Sequence, residues 1–319
     1  MENIIFTLNT VLPVFIIIFI GTFLRHIKII DADFISTASK LVFKIALPAL
    51  VFIKVSNANL KELAVLNEIL FAAVYLLITF ILCMICGFLF IRDKRQIGVF
   101  AQAVFRGNYG IVGLALLFNM LGDPGLAKGA IILAIASPLY NILGTIGLII
   151  PQEKLTLHGL KKILIKIISN PIIIALLLSF IVLIIKWFVP GFIMFSFVER
   201  TLDNLANMSL PVALIAIGGS LSLDHIRKNK ILVLVTTILR LIISPLIFTL
   251  LAVYLGFRGP GLAALYMLFG VPTAVASFIF AKTMEGDADL AANVIVTTTL
   301  GSVLTVSVGV YLLKVSGLI

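Results

Sequence analysis

Ten apolar runs, each long enough to cross a bilayer, follow one another with only short connections between them, and they leave this chain few folds to choose from. They occupy about 4–24, 37–56, 65–91, 98–119, 126–150, 163–185, 201–221, 231–256, 260–281 and 290–313. A spanning helix needs about 20 apolar residues. Hydrocarbon obliges each backbone N–H and C=O to find a partner within the protein, which a helix achieves and an open strand does not. The expected fold is therefore all-α and integral to a membrane, with residues 1–319 forming one transmembrane domain. Composition agrees: 61% of residues are hydrophobic, 12% are charged and the mean hydropathy is +1.23, values outside the range of water-soluble domains. The longest connections, around Arg25 to Thr37 and Pro151 to Lys162, are too short to fold alone. The first run, Ile4 to Leu24, has an acidic residue before it and no small-residue cleavage pattern, so it is expected to stay as a spanning helix.

The net charge of +10 would point to nucleic acid in a soluble protein. Here the lysines and arginines sit in loops and read as topology signals, with no nucleic-acid partner implied. Fourteen of them fall in the odd-numbered loops, among them Arg25, Arg92, Lys161 and Arg227, against seven in the even loops and termini, among them Lys54, Lys128 and Arg258. That bias places the odd loops in the cytoplasm and both termini outside. Trp187 falls at the outer end of segment six, where an interfacial anchor belongs. Cys83 and Cys86, three residues apart in an apolar run, read as small buried hydrophobes rather than a disulfide or a metal site.

Two of the runs are broken. Phe105 to Gly113 reads FRGNYGIVG and puts three glycines, an arginine and an asparagine in the middle of segment four; Leu268 to Ala276 reads LFGVPTAVA and puts Pro272 in the middle of segment nine. Interrupted backbone at that depth is tolerated only where protein or a water-filled cavity supplies partners, and such breaks mark binding sites in transporters. The breaks lie at matching places in two halves. At an offset of 163, Leu47-Pro48 falls on Leu210-Pro211, Leu60 on Leu223, Ala101 on Ala264 and Gly107 on Gly270, and a Gly-Asp turn follows each break, at Gly122-Asp123 and Gly286-Asp287. Five spans per half means that the second copy enters from the opposite side. The chain thus reads as two inverted five-helix repeats, about 4–150 and 163–314.

The ten-span plan, the paired Leu-Pro, the Gly107-Asn108-x-Gly110-x-x-Gly113 break and the Val271-Pro272-Thr273 break followed by Glu285-Gly286-Asp287 resemble the auxin efflux carrier family of permeases. The resemblance covers about Val11 to Leu313. That family includes bacterial carriers of malate, malonate and related carboxylates, and it is similar to the wider group of bile-acid sodium symporters. It implies that segments four and nine cross, within a bundle of segments three to five and eight to ten, against a scaffold of segments one, two, six and seven. It also implies a scaffold-mediated homodimer. Many relatives carry a proline beside the segment-four asparagine; here Tyr109 and Gly110 follow it, so the break rests on glycine.

Local physics points to the substrate class. A helix that restarts after a break presents free N–H groups and a partial positive charge, which favour an anion. Asn108, with Gly107 and Gly110 around it, can donate to a carboxylate or accept from a hydroxyl. Thr273, next to Pro272, sits in the equivalent turn. Arg106 can supply full charge to a carboxylate or snorkel from a helix end. Arg240, ten residues into segment eight, and Asn141, with Ser137 and Pro138 in segment five, complete the candidate set. Lys44 lies close enough to the cytoplasmic end to snorkel, and the histidines His26, His158 and His225 fall in loops.

Neither H-E-x-x-H nor G-x-S-x-G occurs and no aspartates pair within the spans, so the chain is not expected to be an enzyme. No cofactor is expected. With no aspartate or glutamate deep in a span, a coupling ion, H+ or Na+, is left open. The expectation is a secondary transporter for a small organic anion, a mono- or dicarboxylate, in the cell (inner) membrane, with bacterial residue usage. The alternatives are a sodium-coupled carrier of a larger amphipathic acid and a membrane sensor that does not transport.

Overall fold

The computed structural model describes residues 1–57, 65–152, 171–189, 194–221 and 229–319. They form helices α1 (Glu2–His26), α2 (Ala32–Leu41), α3 (Leu47–Ser56), α4 (Leu66–Phe90), α5 (Lys94–Phe105), α6 (Leu114–Ile149), α7 (Pro171–Phe188), α8 (Ser196–Ser220), α9 (Lys230–Ile238), α10 (Ser244–Tyr254), α11 (Gly259–Gly270), α12 (Ala276–Thr283) and α13 (Ala288–Val315). Single π turns at Val42–Ala46, Tyr109–Gly113 and Leu239–Ile243 join α2 to α3, lead into α6 and join α9 to α10. Among the described residues no strand forms beyond one isolated bridge. The fold is that of an all-α integral membrane protein.

Among the described residues, seven helical stretches are long and apolar enough to cross a bilayer: Glu2–His26, Leu66–Phe90, Tyr109–Gln152, Pro171–Phe188, Ser196–Ser220, Lys230–Tyr254 and Ala288–Val315. The expected segments two, four and nine are where the count falls short of ten. Segment four is broken after Phe105 and its second part is separated from segment five by the Gly122 kink within α6, segment nine is divided into α11 and α12, and segment two, Ala32–Ser56 with its π turn at Val42–Ala46, is not among the seven. Within α6 the chain reverses at Gly122, whose φ of 65° is a conformation that suits glycine. Pro124 then opens the returning turn, and Gly129 comes back against Leu114 and Leu117. The Gly122-Asp123 turn read from the sequence is this reversal.

Polar residues set the helix starts. The carboxylates of Asp31, Asp93 and Asp287 accept from the amides of Phe34, Arg95 and Leu290 at 2.7, 2.9 and 2.9 Å, each satisfying one orphan donor of a first turn. Helices α1, α2, α3, α7 and α8 pack together, and α4, α5, α6 and α9 to α13 form a second group. Glycine allows backbone contact within each group: Gly21 and Gly218 bring α1 against α8, and Gly98 rests on the carbonyl of Gly147 between α5 and α6, the small-residue packing of membrane helices. Contacts also run between the two groups, from α1 to α13 and from α3 to α6.

The outward surface is apolar, as lipid demands. Phe90, Phe188, Tyr254 and Leu304 are among its most exposed large side chains. Trp187 is exposed at the end of α7, and Lys44 is exposed on the first π turn. Cys83 is buried while Cys86 is exposed, so only one of the two behaves as the buried hydrophobe expected. The pairing of Leu60 with Leu223, the loop at Lys161, and His158 and His225 lie outside the described residues.

Candidate functional site

The two broken helices meet at their breaks. Helix α5 ends at Phe105 and the chain turns extended at Arg106 (φ −94°, ψ 90°); α11 ends at Gly270 and turns extended at Val271 (φ −68°, ψ 155°). The extended pieces pair antiparallel through a bridge between Gly107 and Thr273. The Asn108 amide donates to the Pro272 carbonyl at 2.7 Å, and the Ala274 amide donates to the Arg106 carbonyl at 3.0 Å. Proline has no N–H to continue α11, yet its carbonyl is free to accept. Each break thereby supplies the partners that the other lacks, as buried backbone requires. Thr273 closes the junction: its hydroxyl donates to the Ala103 carbonyl at 2.6 Å, and its amide donates to the Thr298 hydroxyl at 3.2 Å.

Arg240 sits behind this crossing, fully buried on the π turn between α9 and α10. Its guanidinium donates to the carbonyls of Val271 (2.8 Å), Val104 (2.9 Å) and Leu268 (3.2 Å) and to the Tyr75 hydroxyl (3.2 Å). Val104 lies in the last turn of α5 and Leu268 in the last turn of α11, with Val271 just beyond it. One cation thus caps the negative ends of both first half-helices. Tyr75 also lies 3.2 Å from the Ser244 hydroxyl, tying α4 to α10. Gly107 is glycine for a packing reason: a Cβ there would fall on the Arg240 guanidinium.

Arg106 is placed differently. It is 6% exposed; its Nη2 donates to Asn141 Oδ1 at 3.0 Å, and its guanidinium lies 4.2 Å over the Phe280 ring. Its Nη1 has no hydrogen-bond partner among the described residues, and none of the ion pairs found there involves it. The half-helix beyond the break begins at the Tyr109–Gly113 turn with Asn108 at its cap, and the Asn108 side chain makes no capping bond. The first amides of that turn have no intrahelical acceptor. A buried guanidinium with one open arm and a helix start with open amides both favour an anion.

Of the residues singled out from the sequence, Arg106, Gly107, Asn108, Pro272 and Thr273 come together at the crossing, and Asn141 joins them through Arg106. Gly110 faces α6, where a Cβ would approach the Leu133 side chain to 3.2 Å. Arg240 reaches the crossing from the carbonyl side. Sequence reasoning missed Tyr75, Gln102, Tyr140, Phe280 and Asn293. Gln102, one turn before Arg106, carried a readable signal as a polar residue at helical spacing inside an apolar run. Asn293 is buried on α13 with both amide atoms unpartnered among the described residues, and nothing in its neighbourhood in sequence marked it. Among the described residues no group of three or more histidine, cysteine, aspartate or glutamate side chains could hold a metal ion.

A cavity of about 190 Å³ lies where the scaffold meets the bundle, lined by Pro13, Leu50, Phe118, Leu210, Pro211 and Lys54 among others. Two polar contacts bridge the two groups beside it: Lys54 pairs with Asp123 at 2.9 Å, and Asn119 donates to the Thr10 carbonyl at 3.0 Å.

The family described as membrane transport protein matches the chain over residues 6–154 and 151–310. An uncharacterized transporter of Methanocaldococcus jannaschii is 24% identical over 310 residues, covering 94% of this chain and 96% of its own. An uncharacterized transporter of Methanothermobacter thermautotrophicus is 23% identical, covering 93% and 95%. The uncharacterized transporter YfdV of Escherichia coli K12 is 25% identical, covering 96% and 97%.

Proposed function

Because the chain belongs to the membrane transport protein family, that of the auxin efflux carriers, we propose that it is a secondary carrier that moves a small organic anion, a mono- or dicarboxylate, by alternating access at the crossing of α5–α6 with α11–α12. The observation that carries this reading is the Arg106 guanidinium: buried, held by Asn141 and Phe280, and open at Nη1. A cation kept away from water needs a counter-charge, and a substrate carboxylate supplies it. Asn108 and the amides of the Tyr109–Gly113 turn take the remaining carboxylate oxygen. Arg240 has its donors committed to carbonyls and holds the crossing in shape without touching substrate. Thr273 joins the half-helices in the same way.

Carriers work by exposing one site to the two sides in turn. In this reading the bundle carries the crossing as a unit, since its backbone bonds are internal, and the seam beside Lys54 and Asp123 is where it slides against the scaffold. We infer a cytoplasmic-membrane location with both termini outside; the distribution of lysines and arginines supports that orientation.

Thermal stability of the detergent-purified protein against a panel of carboxylates, amino acids and neutral solutes tests the substrate class. A ligand that binds only the folded state adds about 2.7 kcal/mol at a hundredfold excess over its Kd. The expected result is a shift with a carboxylate that disappears in Arg106→Gln and shrinks in Asn108→Ala. Shifts with neutral or cationic solutes alone, unchanged in both variants, would overturn the anion reading.

A further inference from the structure

Three backbone carbonyls converge behind the crossing, and each is an acceptor that its own helix leaves open. The residue four places beyond Leu268 is Pro272, which has no N–H to return. The residue four places beyond Val104 is Asn108, whose amide goes to the Pro272 carbonyl instead. Val271 lies past the end of α11 in extended backbone. The Tyr75 hydroxyl, from α4, adds a fourth oxygen. Four oxygens around one fully buried spot, two of them in the last turns of helices that stop there, make the lining of a cation site: carriers built on broken helices hold their coupling cation with unwound carbonyls and the C-terminal ends of half-helices. Here the Arg240 guanidinium fills that spot. It reaches all four oxygens at 2.8–3.2 Å with four of its five N–H donors. Its charge is permanent, and glycine at position 107 leaves the room for it.

We propose that the carbonyls of Val104, Leu268 and Val271 and the Tyr75 hydroxyl form a cation site whose resident occupant is the Arg240 guanidinium, so that the crossing holds a tethered counter-charge where a coupling cation would otherwise bind and leave. A dissociable ion shifts a conformational equilibrium through its different affinities for the two states. A cation fixed to the π turn between α9 and α10 belongs to the same helix group as the crossing and answers to no ion gradient. This place is therefore closed to sodium, and the removal of the arginine side chain opens it to a free cation that can donate to the same oxygens. The inference concerns the carbonyl side of the crossing and holds whatever anion Arg106 receives.

The test is the thermal stability of the detergent-purified protein in sodium, potassium or choline chloride at equal ionic strength, with and without about 20 mM guanidinium chloride, far below the molar range in which that salt denatures. Wild type is expected to melt at one temperature in all of these. Arg240→Ala keeps the oxygens and opens the space. A cation that binds only the folded state raises its melting temperature, so guanidinium is expected to restore at least half of what the variant has lost, sodium and potassium less, and choline, which has no N–H to donate, nothing. Arg240→Met fills the space without a charge and is expected to respond to none of them, which separates refilling of the site from a general salt effect. Sodium-selective stabilisation of wild type overturns the resident-cation reading, as does an Arg240→Ala variant indifferent to every cation or a Met variant that guanidinium restores equally. If Arg240→Ala does not fold, Arg240→Ser expressed and purified in guanidinium replaces it; failure of both to fold in guanidinium also overturns the site, because the free cation then cannot stand in for the tethered one. Chloride is the anion throughout, so a failure of the Arg106 reading leaves these outcomes unchanged.

Discussion

Replacing Arg240 by methionine removes a buried cation and leaves a side chain of similar length in its place. Four hydrogen bonds go with it, to the carbonyls of Val104, Leu268 and Val271 and to the Tyr75 hydroxyl. The three carbonyls lie at the C-terminal ends of α5 and α11, where the helix dipoles converge, and no water reaches the fully buried position to replace the donors. An unsatisfied buried acceptor costs about 1–3 kcal/mol, so the gross loss is about 3–9 kcal/mol. Part returns because the guanidinium no longer has to be desolvated, and breaking one side of a buried charged network has a net cost of about 3–5 kcal/mol. At roughly 2 °C per kcal/mol for a large domain, the unfolding midpoint in detergent should fall by about 6–10 °C. Arg240→Lys keeps the charge but offers three donors from a point instead of a planar fork, and should fall between methionine and wild type. Lys44→Met, at an exposed position, is the control and should melt with wild type. A differential-scanning fluorimetry curve for Arg240→Met within about 1 °C of wild type would refute the reasoning, because it would mean that the converging carbonyls do not depend on this cation.

Further outcomes follow from the same geometry. Gly107→Ala drives a methyl group into the Arg240 guanidinium and should destabilise to a similar degree; in a double-mutant cycle with Arg240→Met the two losses should be markedly less than additive, and simple additivity would show that the residues are independent. Thr273→Val deletes the 2.6 Å bond to the Ala103 carbonyl, with an expected cost of about 1–3 kcal/mol by thermal melt. Asp123→Asn should change stability by less than about 1 kcal/mol, since Asp123 is 61% exposed, yet it should alter the rate of solute flux in proteoliposomes by loosening the seam with Lys54; equal rates would remove that pair from the transport cycle. A cysteine placed at Lys161 should react with an impermeant reagent only after the cells are permeabilised. Labelling from outside in intact cells would reverse the assigned orientation.

The broken helices show how far linear reading goes. FRGNYGIVG and LFGVPTAVA announced themselves because glycine, proline and a charge are expensive in the middle of an apolar run, and the cost is visible without knowing any neighbour. The reversal at Gly122-Asp123 was legible for the same reason: a turn acts within a few residues.

The roles of the two intramembrane arginines could not be told apart in this way. Both are single cations in apolar runs, and both read as candidates for an anion. What separates them is what lies across from each. Arg240 meets the carbonyl ends of α5 and α11, which come from residues 104, 268 and 271. Arg106 meets Asn141 and Phe280 and is left with an open arm. Asn293 went unmarked because an amide in a helix gives no local sign of whether its partners are present. The sequence by itself determined an all-helical membrane protein, the places where its helices break and the charges that those breaks would have to accommodate, since these follow from the cost of moving each residue out of water. Only the tertiary structure decided which charge is spent on the protein's own carbonyls and which keeps an unpaired arm, because hydrogen-bond satisfaction is a property of groups brought together from distant parts of the chain.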